Sequence, residues 1–287
     1  MMTSIPAKEQ TNMINCNSEY DELQKVVVVP PEHMKIKEAI NETQRHFLKE
    51  NIDQSRALRQ HQQFVNVLKK AGIEVISLHP SQDLNEQVFT RDIGFTIGDT
   101  LYVSKMEEAL RKPEKKVLIN WLETNQYSYK DIFSDSIEGG DVLVDGQDIW
   151  VGRSNRTSDE AIHTLKDHLP TYNVMPITLD DEILHLDCVL NIVSPDTALI
   201  YSKAVDSISR KRLRKKYHLI EVSDEEQFNM GPNVLSIGRN QVISLPENRQ
   251  VNKQLREAGF KVHEVPFSEI IKSGGSFRCS TLPLKRK

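Results

Sequence analysis

The chain has 287 residues, 38% of them hydrophobic and 27% charged, with a formal net charge of −4. That length suits two ordinary domains or one large domain of repeated units, and it can bury a sizeable core. A slightly acidic balance without a sustained basic stripe argues against a nucleic-acid partner, and no apolar run approaches the roughly 18 residues a membrane span needs.

Residues 1–10 lack the apolar core of a signal peptide, and 1–19 read as an N-terminal extension ahead of a single domain over 20–287. A β-branched run predicts a strand at 25–30, followed by a long helix within 39–71 and a strand at 74–78. Four stretches then read as hairpins, at 92–105, 140–154, 187–203 and 233–246. Each is a short apolar strand, a turn rich in Gly, Asp, Asn or Pro, and a second apolar strand. Helical spacing predicts helices near 107–123, 157–169, 202–217 and 247–258. Returning strands follow at 174–177, 218–222 and 261–265. The basic run 210–216 falls on one of these helices and reads as a solvated face, and the basic C-terminal Lys285-Arg286-Lys287 changes little.

The hairpins begin at Asp92, Asp141, Asp187 and Asn233, and Cys279 continues the series at intervals of 49, 46, 46 and 46. The chain is therefore α/β, with a strand-strand-helix-strand unit of 46–50 residues repeated about five times. Units of this size cannot bury their apolar faces alone and must pack around a common axis. If they close, Asp92, Glu138, Asp141, His185, Asp187, Asn233 and Cys279 meet at one place.

Such a meeting would join carboxylates, an imidazole and a thiol. The thiol is a nucleophile once ionised, and His185 can manage protons near neutral pH. Several carboxylates favour a planar cation. The three cysteines, Cys16, Cys188 and Cys279, have unrelated spacings and read as free thiols in a reducing, cytoplasmic setting, with no disulfide framework and no zinc pattern. In strand parity His185 and Asp187 share one face while Leu186 and Cys188 share the other, so Cys188 reads as core. Cys16 reads as an incidental thiol. Cys279 follows Gly274-Gly275, where the backbone can approach a ligand closely.

Six segments resemble the guanidino-group modifying superfamily, which includes arginine deiminases, dimethylarginine dimethylaminohydrolases and amidinotransferases. They are Phe89-Thr90-Arg91-Asp92, Glu138-Gly139-Gly140-Asp141, Gly152-Arg153-Ser154-Asn155-Arg156-Thr157, His185-Leu186-Asp187, Asn229-Met230-Gly231-Pro232-Asn233 and Gly274-Gly275-Ser276-Phe277-Arg278-Cys279. The resemblance covers about residues 20–284 and implies a five-bladed α/β propeller, the pentein fold. It implies that Cys279 attacks a guanidinium carbon to form an amidino-thioether. His185 would protonate the leaving amine and then activate water, and Glu138 would orient His185 or touch the substrate. Asp92, Asp187 and Asp141 are the substrate-side carboxylates. Arg156 would bind a substrate carboxylate, with Arg111 a second candidate whose alternative is a solvated helix arginine.

The expected partner is thus a small guanidinium compound, with no cofactor, no metal, no nucleic acid and no membrane; a homo-oligomer is allowed. Compact length resembles the dimethylarginine hydrolases. The Asp of His185-Leu186-Asp187 resembles deiminases and amidinotransferases, because a second carboxylate clamp suits nitrogens that carry protons. The arginine that deiminases place shortly before the nucleophile is missing from 273–277. A hydrolase yielding a ureido product is the leading expectation. An amidinotransferase and a non-catalytic binding protein on the same fold are the alternatives.

Overall fold

The computed structural model describes residues 13–287. Strand β1 (Leu23–Val28) is the expected β-branched run and is almost wholly buried. The single helix expected within 39–71 is two, α1 (Glu42–Phe47) and α2 (Gln54–Lys70). Asn51 separates them. It takes a left-handed φ of 59°, which Asn tolerates better than most residues, and its side-chain amide bonds both backbone groups of Ile36. Asp53 then caps α2 by accepting the N–H of Arg56. α2 buries Ala57, Phe64, Val65 and Leu68 against the body, and β2 (Glu74–Ser77) returns parallel to β1.

The remaining elements repeat this plan. Hairpin β3 (Gly94–Ile97) and β4 (Thr100–Val103) leads to α3 (Glu114–Thr124). Next come β5 (Val142–Asp145), β6 (Asp148–Arg153), α4 (Asp159–His168) and β7 (Asn173–Thr178). The third hairpin is β8 (Leu190–Ser194) and β9 (Thr197–Ile200), followed by α5 (Ser207–Lys216) and β10 (His218–Glu221). After α6 (Asp224–Phe228) the fourth hairpin, β11 (Leu235–Gly238) and β12 (Gln241–Ser244), leads to α7 (Arg249–Glu257) and β13 (Lys261–Glu264). The last strand is β14 (Leu282–Arg286).

In three units the returning strand lies parallel to the second strand of its hairpin, giving sheets β5-β6-β7, β8-β9-β10 and β11-β12-β13. A parallel return needs a long crossover, which the intervening helix supplies. The unit after β2 is thinner: β3 and β4 stand as a two-stranded sheet, and its third position is a single bridge between Tyr102 and Lys130. The fifth sheet joins the two ends of the chain, since β14 pairs antiparallel with β1. Cys279 therefore precedes β14 as Asp92 precedes β3.

The leading ends are linked in a closed cycle of hydrogen bonds. Gly139 N–H donates to the Asp92 carbonyl at 3.2 Å, and Leu186 N–H to Asp141 Oδ1 at 2.8 Å. The Asn233 amide donates to the Asp187 carbonyl at 3.1 Å, and Cys279 N–H to Asn233 Oδ1 at 3.1 Å. Arg91 N–H donates to the Cys279 carbonyl at 3.0 Å and completes the circuit.

Residues ahead of β1 are fastened to this body. Cys16 exchanges backbone hydrogen bonds with Gly98, and Glu19 N–H donates to the Val144 carbonyl. Cys16, expected to be incidental in a polar tail, is buried, and burial pushes its thiol up to about 12. The first twelve residues, including most of the expected extension, lie outside the described part. Among the described residues no helix is long and apolar enough to cross a membrane.

Candidate active site

At these leading ends lies a small, largely enclosed chamber of about 10 Å³, room for about one water, lined in part by Glu86, Asp92, Arg111, His185 and Cys279. Cys279 is 2% exposed. Asn233 Nδ2 donates to its sulfur at 3.1 Å, and the thiol faces Asp187 Oδ2 at 3.3 Å. Burial, then the charges of Asp187 and Asp92 and the neighbouring Cys188, push the thiol well above its usual 9.0; Arg278 pulls the other way. These surroundings favour the thiol over the thiolate.

His185 stands in the same wall, with Nε2 2.8 Å from Glu138 Oε2 and Nδ1 3.7 Å from Asp92 Oδ1. Burial alone would lower its pKa, but the Asp92 charge and the Glu138 hydrogen bond outweigh that and raise it to about 9. These partners favour the imidazolium, while burial pushes the Asp92 carboxyl upward. Gly140 makes room for the ring, because a Cβ there would lie 2.7 Å from the imidazole and 3.0 Å from Asp92 Oδ1. Glu138 is fully buried behind the ring, and its other oxygen accepts the N–H of Glu107. Asp92, Glu138 and His185 present donor atoms within 4.8 Å of one another, the spacing of a metal site. The Glu138–His185 and Asp92–Arg111 bonds engage Glu138 Oε2, His185 Nε2 and Asp92 Oδ2, and leave Asp92 Oδ1 and His185 Nδ1 without a hydrogen bond.

Strand parity does not hold at 184–188. His185 is extended, but Leu186–Cys188 form one tight helical turn, so Asp187 points elsewhere than His185. It lies behind Cys279 instead of lining the chamber, and its Oδ2 accepts from Arg278 at 2.7 Å as well as facing the thiol. Cys188 is buried in the core, as parity suggested. Asp141 also leaves the chamber. Its oxygens accept from Leu186 N–H, Ser154 and Thr157, which ties two hairpins together, and burial pushes its carboxyl up to about 6.

Arg111 is 3% exposed and is no solvated helix residue. It donates to Asp92 Oδ2 at 2.6 Å and to both oxygens of Glu114, so its guanidinium is spent on holding the Asp92 carboxylate. Arg156 is also buried. It lies where the chamber meets an outer cleft, held by the Ile40 carbonyl at 2.7 Å and Glu108 at 3.2 Å.

Two features escape the repeat register. Glu86 contributes a second carboxylate to the chamber, and burial pushes it up to about 7. Its only sequence signal is an acid six positions before Asp92. The cover is the second feature: Ile40 and Asn41 line both the chamber and the outer cleft, and Asn41 donates to the Ser273 carbonyl at 3.0 Å. Gly274, at a φ of 91°, lets the chain ahead of Cys279 turn beneath that cover.

A family model described as N,N dimethylarginine dimethylhydrolase, eukaryotic, matches residues 30–286. The protein YkgA of Bacillus subtilis is 48% identical over 286 residues, which is 100% of this chain and 99% of its own. The N(G),N(G)-dimethylarginine dimethylaminohydrolase of Mycobacterium tuberculosis is 28% identical over 75% of this chain and 71% of its own. Among solved structures, the N-terminal domain of ArgZ, in a variant covalently bound to a reaction intermediate, superposes with a TM-score of 0.84 at 26% identity, covering 91% of this chain and 98% of that one. The amidinotransferase SxtG from Microseira wollei gives 0.80 at 19% identity over 96% and 97%, a likeness of fold alone.

Proposed function

The chain belongs to the N,N dimethylarginine dimethylhydrolase (eukaryotic) family, among the guanidino-group modifying enzymes, and on that premise we propose that it is a cysteine-dependent hydrolase of arginine or an N-methylated arginine. The observation that carries this reading is the common chamber: the Cys279 sulfur, the His185 imidazole and the Asp92 carboxylate all face it, and Arg156 stands at its mouth. The closed cycle of leading ends likewise supports reading the five sheets as blades of a propeller built from residues 20–287.

In this reading the guanidinium lies against Asp92, and Glu86 offers a further carboxylate to the cationic end groups. The substrate carboxylate pairs with Arg156. The bound cation offsets Asp187 and Asp92, so the thiol loses its proton to solvent as the substrate settles. The thiolate adds to the guanidinium carbon, and His185 in its imidazolium form gives a proton to the departing nitrogen. The C–N bond breaks, ammonia or a methylamine leaves, and a cationic amidino-thioether remains on Cys279. Neutral His185 then takes a proton from water, the hydroxide adds to the same carbon, and the thiolate departs and takes up the hydroxyl proton, which leaves a neutral ureido product and the resting thiol. Two moderate barriers replace one direct attack by water on a resonance-stabilised cation.

The test is product formation from arginine, monomethylarginine and dimethylarginine, with Cys279→Ser beside the wild type. Ureido product that disappears in the variant supports the reading. Turnover that requires an added amine and gives no ureido product would make the protein an amidinotransferase. No turnover together with an unreactive Cys279 would favour a binding protein.

A further inference from the structure

The residue directly before the nucleophile carries a second set of contacts. Arg278 is 1% exposed, and its guanidinium joins two carboxylates from distant parts of the chain. Nη1 donates to Asp187 Oδ2 at 2.7 Å, while Nε and Nη2 donate to the two oxygens of Glu19 at 3.2 and 3.1 Å. Nη2 also donates to the Val142 carbonyl at 2.8 Å. The Asp187 oxygen held by Arg278 is the one that faces the Cys279 thiol at 3.3 Å. Glu19, Arg278, Asp187 and Cys279 therefore form one buried chain of contacts.

We propose that Glu19, in the segment ahead of β1, is a positioning residue for the nucleophile: through Arg278 it fixes Asp187 against the Cys279 sulfur and sets the charge the sulfur meets. This rests on reading Cys279 as the nucleophile. A guanidinium bonded on two sides cannot turn, so the Asp187 oxygen cannot drift from the sulfur. The Glu19 side chain is itself fixed, because Oε1 accepts the N–H of Val144 at 3.2 Å. Burial would raise the Glu19 carboxyl, but Arg278 and Arg91 hold it down to about 2, and Arg286 adds to that pull. Glu19 is thus an anion at working pH. Glu86, Arg111, Arg156 and His185 line the same chamber as the thiol, while Asp187 and Cys188 from one turn and Asp92 from another raise it and Arg278 lowers it. Glu19 offsets part of that cation, so its removal leaves the sulfur a more positive surrounding.

The experiment uses the whole chain and reads two quantities: the pH profile of Cys279 alkylation by 2-chloroacetamidine, located by peptide mass, and kcat for the guanidine substrate. Glu19→Gln is expected to move the profile to lower pH by about half a unit, while kcat falls by about tenfold because Asp187 is released. A residue that only stabilised the fold would leave the profile of the folded fraction in place. Wild-type values for both in a folded Glu19→Gln protein would overturn the proposal. Should Glu19→Gln fail to fold, Glu19→Asp decides. It keeps the charge but shortens the reach, so an unmoved profile with lower kcat supports the assignment, and wild-type kcat refutes it. A wild-type Cys279 that resists the amidine would bring down the nucleophile reading and this proposal together, whereas a reactive Cys279 indifferent to Glu19 removes only the latter.

Discussion

Asn233 holds Cys279 at two points: its Nδ2 lies 3.1 Å from the sulfur, and its Oδ1 accepts the Cys279 backbone N–H at 3.1 Å. Oδ1 also accepts the N–H of Ser276, which pins the turn that carries Cys279. One neutral amide thus fixes the backbone and offers the thiolate a donor. Asn233→Asp keeps the shape but replaces that donor with a third carboxylate near the sulfur. Amidine labelling of Cys279 is expected to slow by about tenfold or more at neutral pH, consistent with an added charge of the wrong sign. Labelling at the wild-type rate would show that the amide is dispensable to the thiolate.

Gly140 tests whether the imidazole must stand where it does. Alanine there places a methyl 2.7 Å from the His185 ring, so the ring has to swing away from Glu138. Displacement of that order is expected to lower kcat by about 100-fold while KM changes little. Steady-state kinetics on a folded Gly140→Ala protein checks it, and near-normal kcat would show that the ring tolerates displacement.

The repeat made the backbone legible and the side chains only partly so. Positions 92 and 279 hold the register and His185 lies two residues before it at Asp187; all three line one cavity. Asp141 holds the same register but turns into the wall, where Gly152 leaves it room and two hydroxyls and a backbone N–H take its oxygens. Alternation along a strand would predict the facing of Asp187, but one helical turn in place of a strand reverses it. Glu86 and Asn41 belong to no repeated position, so periodicity carried no information about them. Arg111 could be either a surface or a site residue in the sequence, and only the buried acids Asp92 and Glu114 decide its place.

Arg111 should matter to stability before it matters to chemistry. Removing it leaves Asp92 and Glu114 as buried carboxylates without their shared cation. Arg111→Gln is expected to cost about 3–5 kcal/mol in urea unfolding, the usual penalty for breaking a buried pair from one side. Arg111→Lys should recover only part of this, since an ammonium cannot span both Glu114 oxygens and Asp92 as the guanidinium does. A loss no larger than that of a surface substitution would contradict the role.

On the proposed mechanism, His185 should set an alkaline limit on both activity and stability. Its folded pKa, about 9, lies above the usual 6.5, so the folded protein holds this proton more tightly than the unfolded chain. The stabilisation is complete below pH 6.5 and is lost as the pH rises through about 9. The imidazolium is also the proposed acid for the leaving nitrogen, so kcat should fall over the same alkaline range. Urea unfolding and kcat measured across pH 6.5 to 9 test both. A kcat that declines below pH 6.5 and not above it would place the proton on some other group.

The resting thiol gives the sharpest chemical signature. Held well above its usual 9.0 by burial and by Asp187 and Asp92, Cys279 should be a poor nucleophile toward neutral reagents at pH 7. A cationic amidine carries into the chamber the charge that offsets those carboxylates, so it should ionise the thiol it then meets. Chloroacetamidine is therefore expected to label Cys279 faster than iodoacetamide by about 100-fold, despite the better leaving group on the neutral reagent. The preference should shrink in Asp92→Asn, where the thiol meets one carboxylate fewer and the cation has less to pair with. Equal rates for the two reagents in the wild type would mean that the thiolate exists before substrate arrives, and the order of binding and ionisation argued above would have to be reversed.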